Sequence, residues 1–363
     1  MKDMKEQLQS YLLGEVEEDE ESEEEERGND KKIKTYIIES NLPTPEKLRG
    51  LPPSLTVSKS ADESLYNVEV KTSRGSEYLF IDSSDSRFWL FHAALESGYL
   101  NSIMDEVVAR NDSKLDYSWF ASSFLERQCN IGGGSGFGLR YKNSFIGRNK
   151  DLDQKYLRTF SMLFWGGRPD EVLAGLKKNP DIASGLTLSR VGRVFRTDDG
   201  ETREQISRKG KFTLFRGDSI DTHILAVDTI RNRYASLIRN LETNFRVRSS
   251  STEWGYKVEG TYCLIQMSKE IEDMRHFVSV LLSCQQPFLL FGIPQAISGS
   301  LVKVSAVDLH TYDKFDMEIG RDFIRVFLRE RSCGNVVARL MTNLQEFYDS
   351  QTKLMGVDNE QLL

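Results

Sequence analysis

The chain has 363 residues, more than one ordinary core holds, which points to two domains. A hydrophobic fraction of 39% and a charged fraction of 28% fit a soluble globular protein with a polar tail. The longest apolar run, near Pro287–Phe291, falls far short of the roughly 20 residues that span a bilayer. The N-terminus also lacks the pattern of a signal peptide, so a cytoplasmic protein without a membrane partner is expected.

The net charge of −7 is unevenly placed. Residues 1–30 hold thirteen acidic and three basic groups, which leaves 45 basic against 42 acidic groups in the remainder. Met1–Leu13 can form a short amphipathic helix with Leu8, Leu12 and Leu13 on one side. Glu15–Glu26 is nearly continuous carboxylate, which repels itself and buries nothing, so a disordered acidic tail over residues 1–30 is expected. Such a tail solubilises the protein, or competes with nucleic acid for a basic groove.

Lys31–Ile38 reads as a first strand because β-branched and aromatic residues dominate it. Pro43, Pro45, Pro52 and Pro53 then mark a loop. Next comes a hairpin, Tyr66–Lys71 and Glu77–Ile81, joined by Ser73-Arg74-Gly75-Ser76. Asp82 and Asp85 offer helix caps. The three- and four-residue steps of Phe88, Phe91, Leu95, Tyr99, Ile103 and Val107 predict a helix over 88–107, with Gly98 in its middle.

Two further copies of this hairpin-plus-helix pattern follow. Val191–Arg196 and Lys211–Arg216 are strand-like, with an Asp199-Gly200 turn, and Ile224–Leu241 carries a helical stripe. Leu301–Val307, Phe315–Ile319 and Phe323–Leu328 precede a helical stripe over Val336–Tyr348. Between the first two copies, Leu157–Phe164 and Asp170–Lys177 are read as helices, and Asn179-Pro180 as a break. The fold class is therefore α+β, with recurring β-hairpin-plus-helix units and mainly antiparallel sheets. The expected domains are the tail 1–30, an α+β domain 31–180 and an α+β domain 181–363.

Motifs for chemistry are sparse. Gly132–Gly138 is glycine-rich, but a strand-like segment follows where a dinucleotide site needs a helix, so a hairpin or interdomain loop is expected. The pair Glu69 and Lys71, with Asp82 and Asp85 beyond it, resembles part of a metal-dependent nuclease centre in residue type only. Asp198-Asp199 and Asp313…Asp316 fall near turns, where aspartate serves the backbone. Cys129, Cys263, Cys284 and Cys333 are too scattered for a zinc or redox motif. His92 and His276 are expected at packed helix faces, and His310 near a strand end. No catalytic residue, metal site or cofactor is assigned.

Basic residues are the persistent theme. Between Arg190 and Arg248 lie thirteen basic and eight acidic residues. Guanidinium forks suit phosphate oxygens, so Arg190, Arg193, Arg196, Arg208, Lys209, Lys211, Arg216, Arg246 and Arg248 are the candidate nucleic-acid-binding set. Lys209 and Lys211 bracket Gly210 at the entry to a strand whose Phe212 and Phe215 would stack on bases. The expected function is a non-enzymatic binding or regulatory protein that engages nucleic acid or an acidic protein through a basic face. The alternatives are a metal-dependent phosphodiesterase or nuclease, and a structural assembly subunit that pairs through strand edges.

Overall fold

A computed structural model describes residues 2–16, 32–49, 55–72, 75–129, 133–145, 157–356 and 360–363. The protein is α+β, and its strands pair almost entirely antiparallel. The chain divides into two compact units. The first takes Met1–Ser118, Gln128–Gly136 and Arg190–Arg233, and the second takes Trp119–Arg127, Phe137–Ser189 and Tyr234–Leu363. Among the described residues, no helix is long and apolar enough to cross a membrane.

The first unit is built on two antiparallel meanders that share one strand. Its early strands are β1 (Lys34–Ser40), β2 (Leu55–Lys59), β3 (Leu65–Thr72), β4 (Gly75–Asp82), β5 (Phe88–Ala93) and β6 (Leu115–Tyr117). After β7 (Gly134–Lys142) and β8 (Thr159–Trp165), most of which belong to the second unit, come β9 (Leu188–Thr197), β10 (Gly200–Ser207) and β11 (Lys211–Gly217). The order β2-β3-β4-β5-β1-β11-β10-β9 makes β1 the central seam, which joins the early meander to the late one. Tyr36 sits opposite Phe91 on one side and Lys211 on the other.

Two helical readings are corrected. Phe88–Ala93 is a strand, and the helix starts only at Ser97 and runs to Arg110. All six residues of β5 are buried, because β4 and β1 flank it and both faces are covered. Gly98 lies in the first turn of that helix, where its amide donates to Glu96 Oε1 at 3.0 Å. Asp82 and Asp85 cap no helix. They accept from the amides of Ser84, Arg87 and Phe88 at 2.8–2.9 Å and shape the β4–β5 connection. Likewise, Leu157–Phe164 is no helix, and Thr159–Trp165 forms β8. The helix expected over Asp170–Lys177 is present as Pro169–Lys177.

The helix expected near the N-terminus runs from Lys2 to Val16. Met4, Leu8 and Leu12 are buried in a cluster with Ile33, Leu65, Phe80, Leu214 and Ile220, so this helix is part of the first unit's core. Leu13, expected on the same side, is exposed. Its step from Leu12 is one residue, about 100° around a helix of 3.6 residues per turn. Most of the acidic run lies outside the described residues.

The second unit carries a sheet ordered β13-β12-β18-β17-β16-β15. Its strands are β12 (Arg246–Thr252), β13 (Gly255–Glu259), β14 (Cys263–Gln266), β15 (Leu290–Ser298), β16 (Leu301–Asp308), β17 (Lys314–Ile319), β18 (Phe323–Arg329) and β19 (Lys353–Met355). Only the β12–β18 contact among these is parallel. Inward residues alternate cleanly along β18, with Ile324, Val326 and Leu328 buried.

The helix Asn335–Phe347 is buried on every side from Asn335 to Glu346. Its polar residues are therefore partnered inside. Asn335 accepts from the Tyr234 hydroxyl. Arg339 pairs with Asp308. Asn343 donates to Pro287 O at 2.9 Å, and Gln345 accepts from Ser122 N at 2.8 Å.

Candidate functional site

Of the nine basic residues singled out, the fold draws four to the β10–β11 turn and its neighbours. Gly210 is the pivot. Its φ of +66° is a conformation that glycine adopts at little cost. A Cβ there would stand 3.0 Å from Ser118 Cβ and 3.2 Å from Ile37 O. The turn is held by Gly210 N donating to Ser207 O at 3.1 Å and by Ile37 N donating to Gly210 O at 3.0 Å. Lys209 and Lys211 therefore leave a fixed backbone. Arg208 lies on the same turn, and Arg190 of β9 sits opposite Ser207 of β10.

The surroundings come from distant sequence. Lys211 Nζ donates to Asn101 Oδ1 at 2.8 Å and lies 5.6 Å from the Tyr36 ring centre. The Tyr36 hydroxyl donates to the same Asn101 oxygen. Lys209 Nζ lies 4.8 Å from the Tyr117 ring centre and 3.7 Å from Asp105. The Tyr117 hydroxyl donates to Asp105 at 2.8 Å. Asn101 and Asp105 are one helical turn apart on Ser97–Arg110, so both face this corner. The two tyrosine rings stand 6.2 Å apart, packed beneath the lysines.

Electrostatics follow from this packing. Burial, with the Arg190 charge nearby, brings the Lys211 ammonium down to about 8. Burial, then the Asp105 carboxylate, pushes the Tyr36 and Tyr117 phenols above their usual range. Both phenols stay neutral donors. The corner thus offers an ammonium poised near neutral pH, a second ammonium on the rim and a guanidinium close by. An oxyanion would complement that arrangement.

The other candidates stand elsewhere. Arg193 is buried, with its guanidinium carbon 4.7 Å from the Phe195 ring centre. Arg196 pairs with Glu201 at 2.6 Å. Arg216 is opposite Arg203 at the far end of β10–β11. Arg246 and Arg248 belong to the second unit. There Arg246 pairs with Glu242 at 3.2 Å, and Arg248 faces Glu259 across the β12–β13 hairpin. Stacking on Phe212 is corrected: its ring has no exposed surface. Phe215 lies beneath Lys32 Nζ at 4.6 Å.

The remaining motifs take structural roles. Gly134–Gly138 lies within β7, and Gly132 lies outside the described residues. Glu69 accepts the Ser76 hydroxyl across β3–β4 at 2.5 Å. Asp316 lies within β17 and binds Arg329 through two bonds of 2.9 and 3.0 Å. Among the described residues, no group of three or more His, Cys, Asp or Glu side chains could hold a metal ion. Cys263, Cys284 and Cys333 are free thiols. His276 bonds Phe145 O at 3.0 Å from its helix, whereas His310 bonds Asp308 at 2.9 Å just beyond β16. His92 is on a strand, buried beside Thr35 of β1.

The fold and this corner define an α+β protein with a cluster of basic side chains beside two buried tyrosines. A family model described as MJECL33-like protein matches residues 1–363, and the chain belongs to that family. It is similar to the protein named "Uncharacterized protein MJECL33" of Methanocaldococcus jannaschii. The two are 26% identical over 360 residues, covering 89% of this chain and 86% of the relative.

Proposed function

We propose that the protein is a non-enzymatic binding or regulatory protein that takes an anionic partner at the Arg190–Lys209–Lys211 corner. The observation that carries this reading is that Lys209 and Lys211 leave a turn whose left-handed, closely packed residue is glycine, with Arg190 beside it on β9. Nucleic acid is the favoured partner, because phosphate oxygens suit ammonium and guanidinium donors. Recognition is of the backbone, since Tyr36, Tyr117 and Phe212 are buried and offer no face to a base. An acidic protein segment is the second partner class.

Fluorescence anisotropy with labelled single- and double-stranded oligonucleotides tests this across a salt series. The reading expects affinity to fall steeply as salt rises, and to fall tenfold or more in Lys211→Met at low salt. Binding that ignores salt, or a variant that binds as wild type does, ends it. Cleavage of the bound strand only with a divalent metal would point to a phosphodiesterase instead.

A further inference from the structure

The first unit encloses a chain of polar side chains that the basic corner does not use. Glu204 Oε1 accepts the Thr202 hydroxyl at 3.1 Å and lies 2.8 Å from His223 Nδ1. His223 Nε2 lies 2.9 Å from Thr35 Oγ1, which lies 2.9 Å from His92 Nδ1. Glu204, His223, Thr35 and His92 all have 0% exposure, so none of the four side chains touches bulk solvent. Three neighbouring parts of the fold supply it: β10, the helix Ile220–Phe245, and the β1–β5 pair.

Counting hydrogens gives the chain a direction. An ionised carboxylate only accepts, so His223 Nδ1 carries a hydrogen. A neutral His223 then presents a bare Nε2, which takes the single hydroxyl hydrogen of Thr35. Thr35 Oγ1 has none left to give His92, so His92 Nδ1 must be the donor. The remaining nitrogen, His92 Nε2, is then a lone pair, and among the described residues it has no partner. Burial is the largest cause lowering His92 to about 3, and the Arg231 charge adds to it, which keeps one hydrogen on its ring.

Other unmet groups lie in the same unit. Arg231 is nine-tenths buried and pairs with Asp228 at 3.1 Å, yet among the described residues its Nε and Nη1 have no hydrogen-bond partner. Glu204 Oε2 likewise has no hydrogen-bond partner among the described residues. Buried polar atoms left unmet by protein are met by ordered water.

We propose that Glu204, acting through His223 and Thr35, holds His92 as the Nδ1–H tautomer, and that its bare Nε2 is an internal binding site for one hydrogen-bond donor, a water molecule. Free imidazole favours hydrogen on Nε2, so the relay imposes the less common form. Thr35 is a positioning residue in this scheme.

Nitrogen-15 NMR of the full chain with labelled histidine tests it, at a pH where the nitrogen shifts show one hydrogen on each of the two rings. The expected result is a protonated Nδ1 and a bare Nε2 on His92, with a long-lived water cross-peak to its ring. Thr35→Val should return His92 to the Nε2–H form, and Thr35→Ser should keep Nδ1–H. If the valine variant does not fold, the wild-type and serine spectra still decide. The proposal is overturned by Nε2–H on wild-type His92, by a cationic His223 throughout the folded pH range, or by absence of the water. An unchanged tautomer in a folded Thr35→Val chain also overturns it.

Discussion

Gln9 Oε1 accepts the backbone N–H of Ile220 at 2.8 Å, so a side chain from the first helix caps the start of the longest one. Its amide nitrogen also reaches Asp218 O at 3.3 Å, and Lys5 pairs with Asp221 one turn away. The first amides of a helix lack partners of their own. Here a segment more than two hundred residues away in sequence supplies one.

That contact makes the N-terminal helix a stability element. Gln9→Ala should cost about 1 kcal/mol, the usual loss for a cap. Leu8→Ala, in the buried cluster, should cost about 2–5 kcal/mol. Urea unfolding followed by circular dichroism measures both. A Leu8→Ala chain as stable as wild type would show that the helix does not stay packed in solution.

Gly210→Ala should be costly in two ways. The left-handed backbone costs an alanine about 1–2 kcal/mol, and the added methyl crowds Ser118 and Ile37 O. Anion affinity should fall with stability, because Lys209 and Lys211 would lose their fixed origin. Gly299→Ala is the control, since nothing stands within 4 Å of a Cβ there. Thermal melts of the two variants should separate clearly.

Lys211 sets a pH dependence. Its ammonium is lowered to about 8 in the folded chain, against an ordinary value near 10.4. The unfolded chain therefore binds more protons between these values, and stability rises with pH across that window. The unfavourable contribution is complete below about 8. Anion affinity moves oppositely, because the charge is lost above about 8. Calorimetry of anion binding near pH 9 in buffers of different ionisation enthalpy should show proton uptake, and Lys211→Met should abolish it.

Asp308→Asn should be the most damaging of these changes. The carboxylate holds the buried Arg339, accepts His310 N at 3.0 Å and the Thr311 hydroxyl at 3.0 Å. Removing one partner of a buried pair strands the other charge at about 3–5 kcal/mol. Chemical denaturation of the purified variant gives the figure directly.

What the residues disclosed depended on how local the cause was. Lys211–Arg216 and Ile224–Leu241 were readable because one alternates and the other steps by three and four, each with one buried face. Phe88–Ala93 misleads because a strand covered on both faces has no alternation to show. Phe88, Phe91 and Leu95 then fit a helical step by chance. The same split holds for the candidate site. Lys209-Gly210-Lys211 stands out as a tripeptide, but Tyr36, Asn101, Asp105 and Tyr117 join it only through strand pairing and a helix face. No spacing rule links position 36 to position 211.

The inward-facing amides, guanidinium and carboxylate of Asn335–Phe347 carry a consequence for how the second unit tolerates change. Leucines packed on leucines can slide and still bury grease. A rod lined with directional donors and acceptors has a single seating, because rotation or a one-step slip would orphan several of them at once. Sequence drift in that segment is therefore expected to come as matched exchanges, with the groups at Asp308, Ser122 and Pro287 constraining what each position accepts.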